Sequence, residues 1–282
     1  PRALAGGGLR SLQPFRAGAI IRLACAGPLP EPQDRDRMDA TAIPIPEGFV
    51  RFHERRAVLL VRDECADKVR AALGPLDRAL ENIRLRRFTA RGRAGIVSLS
   101  LALGEPPMMV RRYLHGGLFG PILRDLYLGP DRALDELEAA EAARLGGVRT
   151  PLPLGVLCRH ARGPLWRLAW LSQEVADSED LIHYCCRLTD YPAETSALEK
   201  RGVIREAAAQ VRRMHDLGIY HADLHLKNLL LQRQAAETPR VYVLDFDKAR
   251  LGRPLDAGRR LANLKRLARS VRKIRVADAL LT

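Results

Sequence analysis

Apolar positions recur along the second half of the chain at helical spacing. Val203, Ile204, Ala207, Ala208, Val211, Met214 and Leu217 form one stripe, which predicts a helix over 199–217 that Gly218 ends. Ile219 and Tyr220 lead out of it, and 228–231 and 241–244 then read as the two β-prone runs of a hairpin around a polar stretch containing Pro239. Upstream, residues 107–113, 151–160 and 165–175 carry strand-like patterns, whereas 131–145 is strongly helical. The last segment, 248–282, predicts an amphipathic helix with Leu261, Leu264, Leu267, Val271 and Ile274 on one face. The chain is therefore expected to be α+β, with a β-rich lobe over 38–175, a linker near 172–177, and a short, mainly helical lobe over 176–282. Residues 1–37, rich in Arg, Pro, Gly and Ala without sustained periodicity, read as a disordered or mis-included leader before Met38.

Composition narrows the class. A chain of 282 residues with 47% hydrophobic content can bury a substantial core, and no stretch approaches the roughly 18 uncharged apolar residues of a membrane span. Five cysteines without CxxC spacing argue against a disulfide framework or structural zinc, and place the expected compartment in the cytoplasm. The net charge of +14 is concentrated from Lys248 onward, where eleven Lys and Arg face two Asp. With 5% aromatic residues and no reading module, that charge does not predict nucleic-acid binding. It suits an anionic substrate or an anionic membrane surface beside a terminal helix packed on the domain.

Chemistry concentrates in one stretch. His221-Ala222-Asp223-Leu224-His225-Leu226-Lys227-Asn228 is followed, seventeen residues after Asn228, by Asp245-Phe246-Asp247. An aspartate that can take the proton of an attacking hydroxyl, an asparagine five residues on, and a second aspartate across a hairpin are the parts of a phosphoryl-transfer site. Asp223 is the candidate base, and Asn228 and Asp245 are the candidate Mg²⁺ ligands, since Mg²⁺ needs only one or two protein oxygens beside phosphate and water. Either motif alone would pass for a turn or a helix cap; their order carries the reading.

Such a site needs a phosphate cover, a strand-borne base and a helical carboxylate upstream. Gly92-Arg93-Ala94-Gly95 is a turn whose amides can approach phosphate, Arg111 or Arg112 lies on the strand over 107–113, and Asp135, Glu136, Glu138 and Glu141 are the carboxylates on the next helix. ATP would lie in the crevice beside the linker.

Val110-Arg111-Arg112-Tyr113-Leu114-His115-Gly116-Gly117-Leu118, Asp125-Leu126-Tyr127-Leu128, Tyr220-His221-Ala222-Asp223-Leu224, Val243-Leu244-Asp245-Phe246-Asp247-Lys248 and the run from Asn263 to Val271 together resemble the lipopolysaccharide core kinases, most closely the 3-deoxy-D-manno-octulosonic acid (Kdo) kinases. The resemblance covers about residues 91–274 and implies a two-lobed protein-kinase-like fold. It implies transfer of the ATP γ-phosphate to a hydroxyl of Kdo on lipid A, with Asp223 as base, Asn228 and Asp245 on Mg²⁺, Arg111 on the nucleotide phosphates and Glu136 orienting Arg111. Gly92, Arg93 and Gly95 would cover the phosphates, although Ala94 stands where the family more often has glycine. His225, Lys227, Asp247 and Lys248 are candidates for contacting the acceptor. Only 35 residues follow Asp247, so a folded protein is not the expected acceptor. Peripheral association with the cytoplasmic face of a bacterial inner membrane follows, with no obligate protein partner. A heptose kinase, an aminoglycoside- or choline-type phosphotransferase and a nucleotide-binding pseudokinase are the alternatives.

Overall fold

The structure, a computed structural model, describes residues 43–85, 96–115, 124–188, 193–233 and 239–273. β1 (Phe49–Glu54) and β2 (Ala57–Arg62) form an antiparallel hairpin. They join β6 (Pro153–Arg162), β7 (Leu165–Gln173), β4 (Met108–Arg112) and β3 (Ile96–Leu99) in a seven-stranded sheet of order β1-β2-β6-β7-β4-β3, with β5 (Tyr127–Leu128) on the far end of β7.

Every residue of β2, AVLLVR, is buried because the sheet is covered on both faces. Leu59 and Val61 point to a core shared with α1 (Ala66–Leu73) and α2 (Leu76–Leu85). Val58 and Leu60 point to the opposite core, where α3 (Asp131–Leu145) packs through Ala133, Leu137, Ala140 and Ala143. Small residues let that helix lie close. At its end a Cβ on Gly146 would sit 2.2 Å from Leu217, so the backbone itself makes the contact. On β4 the alternation sends Met108 and Val110 into the α1/α2 core and leaves Met109 and Arg111 on the other face.

The second part is built on α4 (Leu181–Leu188), α5 (Ala193–Asp216), α6 (Ala257–Arg272) and a small sheet of order β10-β9-β8, from β10 (Arg240–Val243), β9 (Leu229–Gln232) and β8 (Ser178–Asp180). Gly218 N–H bonds the His215 carbonyl and Ile219 N–H the Met214 carbonyl, both at 3.0 Å, which closes α5 with a Schellman cap. Gly218 sits at φ 79°, and a Cβ there would meet the Gly252 carbonyl at 2.1 Å.

Two sequence expectations change. The helix predicted over 199–217 begins six residues earlier, at Ala193. The face expected of α6 is rotated: Leu267 and Val271 pack on the core, but Leu261 and Leu264 are 51% and 46% exposed. The fully buried residue of that helix is the polar Asn263, because the loop beneath it offers a peptide group to pair with rather than an apolar pocket. Ile274, placed on the same face by the sequence, lies outside the described residues.

Candidate active site

The connection from α5 to β9 is held by its own first residue. His221 is fully buried; its Nδ1 accepts from Asp223 N–H at 3.2 Å, and its Nε2 donates to the Leu244 carbonyl at 2.9 Å. A ring that accepts at one nitrogen and donates at the other is the neutral Nε2–H tautomer. Burial lowers its pKa, against the opposing pull of the Leu244 bond. Two loops are thereby tied through one imidazole.

Asp223 itself points outward, with 62% of its side chain exposed and its carboxylate 3.3 Å from His225 Nε2. Asn228 is buried; its Nδ2 donates to the Asp223 carbonyl at 3.0 Å, and its own carbonyl accepts from Leu244 N–H at 2.9 Å. With the amide nitrogen engaged, the amide oxygen is the end that can meet a cation. The next residue along the facing strand is Asp245, a non-glycine residue at φ 63° in the left-handed region. Its Oδ1 is buried without a hydrogen-bond partner and lies 3.4 Å from Arg111 Nη2. A buried carboxylate oxygen that faces a guanidinium without a hydrogen bond keeps acceptor capacity for a further positive partner, so its position fits a bound cation. Among the described residues no three His, Cys, Asp or Glu side chains gather into an all-protein metal cage. Asn228 and Asp245 match the smaller donor set that Mg²⁺ uses beside phosphate oxygens.

From the other side of the cleft comes Arg111, on β4. Its Nη2 donates to both oxygens of Glu136 at 2.6 and 2.8 Å, and the Tyr113 hydroxyl donates to the same carboxylate. Glu136 is fully buried on α3, and burial raises its pKa to about 7 against the pull of Arg111. Burial works to lower the pKa of Arg111, but Glu136 and Asp245 outweigh it and hold the guanidinium above its ordinary range, so it stays charged. The neighbouring choices resolve elsewhere: Arg112 pairs with Asp125 at 2.5 Å, and Glu141 with Arg62 at 2.6 Å.

Between these groups lies a cleft of about 250 Å³. Ile96, Met109, Trp170 and Leu230 give it apolar walls, Gln173, Glu174 and Val175 line the link between the two parts, and Arg111, Glu136 and Asp245 mark its charged end. An apolar slot ending in a guanidinium and a carboxylate suits a flat base carrying a phosphate chain. Gly92, Arg93 and Gly95 lie outside the described residues.

Asp247, expected to contact the acceptor, is engaged at both carboxylate oxygens by Arg132, from Nε at 2.7 Å and from Nη2. That bidentate pair ties α3 to the loop after β10. Lys227 and Lys248 are exposed, Lys248 at φ 61°.

Sequence reasoning gave no role to Arg132, nor to Tyr113, Asn263 and Ser270, which it quoted only within the resemblance. Arg132 is 115 residues from its partner, and nothing local distinguishes it from a surface charge in a first helical turn. Asn263 and Ser270 did leave a signal: they are the two uncharged polar residues of α6, seven apart and so on one face. Ser270 Oγ accepts from Leu226 N–H at 3.2 Å, one residue past His225.

The chain matches the family model described as the lipopolysaccharide kinase (Kdo/WaaP) family over residues 60–280. A 3-deoxy-D-manno-octulosonic acid kinase of Vibrio cholerae is 30% identical over 191 residues, which is 66% of this chain and 72% of that protein. The enzyme of the same name from Actinobacillus succinogenes is 31% identical over 172 residues, 58% of this chain and 65% of that protein. Among solved structures, WaaP in complex with acyl carrier protein superposes with a TM-score of 0.51 at 20% identity, over 80% of this chain and 87% of that one. The shared architecture is the two-lobed, protein-kinase-like α+β fold, with a β-rich first lobe and a mainly helical second. With the family matched over most of its length, the chain belongs to the lipopolysaccharide kinase (Kdo/WaaP) family and is a phosphotransferase.

Proposed function

We propose that the chain transfers the γ-phosphate of ATP to a hydroxyl of Kdo on lipid A. The observation that carries the reading is the buried Oδ1 of Asp245, without a hydrogen bond and 3.4 Å from Arg111 at the polar end of an apolar cleft, with Asn228 and Asp223 on the adjoining loop. The relatives named as Kdo kinases supply the acceptor.

In this reading Asn228 and Asp245 hold Mg²⁺, which when bound neutralises phosphate charge and fixes the nucleotide tail. Arg111, oriented by Glu136, grips the phosphates with its remaining guanidinium nitrogens, and Gly92, Arg93 and Gly95 are the residues proposed to supply further phosphate contacts. Asp223 accepts the proton of the acceptor hydroxyl as its oxygen bonds to the γ-phosphorus and the bond to the ADP oxygen breaks. The exposure of Asp223 suits a bulky acceptor that stays outside the cleft. His225, Lys227 and Lys248, grouped by sequence around these two loops, meet its carboxylates and phosphates.

The same reading places the protein at the cytoplasmic face of an inner membrane. No helix among the described residues is long and apolar enough to cross a membrane. On α6, however, Leu261 and Leu264 face outward among Lys265, Arg269 and Arg272, the composition of a surface that lies on anionic headgroups.

The test is transfer of labelled γ-phosphate from Mg²⁺-ATP to Kdo-bearing lipid A, with lipid A lacking Kdo beside it. Label on the Kdo-bearing acceptor alone is expected. Label on neither, with ATP bound, refutes the acceptor and points to a heptose or a small alcohol; no ATP binding refutes the enzyme reading altogether.

A further inference from the structure

α6 runs alongside the loop that carries Asp223 and touches it on either side of that residue. Asn263 Nδ2 donates to the His221 carbonyl at 2.9 Å, and Ser270 Oγ accepts from Leu226 N–H at 3.2 Å. Arg266 is three positions from Asn263 and four from Ser270, so on a helix it neighbours both and lies at the level of residues 222–225. Leu267, the other residue at that level, packs on the core, which leaves Arg266 the opposite flank. Its side chain is half-buried, with Nε buried and without a hydrogen-bond partner, and among the described residues no carboxylate pairs with its guanidinium. Other arginines in similar settings are matched. Arg159 also has a buried, unbonded Nε, but Glu81 stands 3.1 Å from its Nη1, and Arg260, on the same helix as Arg266, meets Asp216 at 2.8 Å and the Leu255 carbonyl at 2.7 Å. A guanidinium is always charged and offers five donors in a planar fork; half-buried and without a counter-charge, it is set to receive an oxyanion.

We propose that Arg266 binds the carboxylate of the acidic sugar whose hydroxyl is presented to Asp223. The proposal rests on the function proposed above and deepens it, by naming the residue that recognises the acceptor's acid group. Two points favour the sugar carboxylate over a phosphate of lipid A. The carboxylate belongs to the same sugar as the reacting hydroxyl, and Arg266 sits on the helical turn between the two contacts that bracket Asp223, so two groups close together on the acceptor meet two groups close together on the protein. A planar carboxylate also matches the guanidinium fork through two parallel bonds. The phosphates of lipid A sit on other sugars of the acceptor, where exposed cations such as Lys265 and Arg269 can meet them. A neutral sugar in the same place would leave the guanidinium without its counter-charge, so the contact selects an acidic acceptor against a neutral one.

The experiment measures phosphate transfer from Mg²⁺-ATP by wild type, Arg266→Gln, Arg266→Lys and Arg253→Gln, with the acceptor dispersed in neutral detergent so that attraction to a charged bilayer is not read. Arg253 is exposed ahead of α6, and its variant removes the same charge elsewhere. Three acceptors are compared: Kdo-lipid A, its Kdo methyl ester, and Kdo-lipid A stripped of the lipid A phosphates. Arg266→Gln should raise KM for Kdo-lipid A about 30-fold and Arg266→Lys about fivefold, with KM for ATP within about twofold and Arg253→Gln within about twofold throughout. The methyl ester should raise the wild-type KM about 30-fold but that of Arg266→Gln under about threefold, because one contact can be lost only once. Stripping the phosphates should leave the ratio of variant to wild type unchanged. An ester accepted as well as the acid overturns the proposal, as does an unchanged acceptor KM in Arg266→Gln. A ratio that collapses only on the dephosphorylated acceptor also overturns it and assigns Arg266 to a phosphate. In the unmutated chain the Arg266 Nε–H resonance should shift saturably on adding free Kdo and not on adding its methyl ester; a resonance that ignores Kdo overturns the proposal even where the variants fail to fold. A wild-type chain that transfers no phosphate would sink the function instead, and the Nε–H titration would still decide whether Arg266 binds the acid.

Discussion

The tie between Arg132 and Asp247 decides how α3 is fastened to the loop carrying Asp245, and its strength can be worked from the contacts. Arg132 reaches Asp247 through two parallel bonds, with 28% of the arginine side chain and 14% of the aspartate exposed. Fully buried pairs cost about 3–5 kcal/mol to break, and exposed ones contribute under about 1 kcal/mol. A bidentate pair at this intermediate exposure should couple by about 2 kcal/mol. The Arg132 guanidinium also lies 4.9 Å from the Tyr127 ring centre, and that contact adds roughly 0.5–1 kcal/mol, which Asp247→Ala does not remove. In a double-mutant cycle by urea unfolding, Arg132→Ala should therefore cost more than Asp247→Ala, and the coupling should come out near 2 kcal/mol. Coupling below about 0.5 kcal/mol would refute the reasoning. Kinetics give a second check. If Asp247 is structural, both alanine variants change the same parameters; a rise in acceptor KM confined to Asp247→Ala would return it to the substrate.

Asp223→Asn keeps the shape of the proposed base without its proton affinity, and kcat should fall by about 10²-fold or more while Mg²⁺-ATP still binds; near-normal turnover would remove Asp223 from the role. Glu136→Gln keeps the acceptor for Tyr113 but withdraws the charge that aims Arg111, so KM for ATP should rise about tenfold in steady-state assays, and an unchanged KM would show that Arg111 needs no such partner. Replacing both Leu261 and Leu264 by Ser removes about 2 kcal/mol of insertable apolar surface, so co-sedimentation with anionic vesicles should weaken roughly 30-fold; equal sedimentation would leave that face without a membrane role. Burial lowers the pKa of His215 below its ordinary 6.5, so the unfolded chain takes up this proton first. The stability involved is complete above pH 6.5 and lost as pH falls below it, at up to about 1.4 kcal/mol per pH unit. Glu136, raised to about 7, works in the opposite direction, so the histidine part is read as the difference between wild type and His215→Gln; parallel pH curves would contradict it.

Local patterns carried much of the architecture. A 3.6-residue stripe ending in glycine, a helix over 131–145, long apolar runs for β6 and β7, and a hairpin between Asn228 and Asp245 all depend on neighbours within a few residues, and all are where the periodicity put them to within a few positions, save the start of α5, six residues early. The helices α1 and α2 were legible but unread: Val69 and Leu73, then Leu76, Ala79, Leu80 and Ile83, have helical spacing. The choice of Arg111 over Arg112 follows from the pleat of β4 against β3 and β7, where register assigns each side chain a face, and no local signal supplies that.

By itself, the sequence determined the kinds of chemistry present and their order along the chain, because residue types and short-range periodicity are written there directly. Tertiary structure decided the partners. Glu136 rather than its neighbours meets Arg111, Arg132 clasps Asp247, and α6 turns Asn263 inward and two leucines outward. Each of these depends on a buried polar group finding its complement tens of residues away. The cost of leaving such a group unpaired, about 1–3 kcal/mol, exceeds what burying one more half-exposed leucine would return.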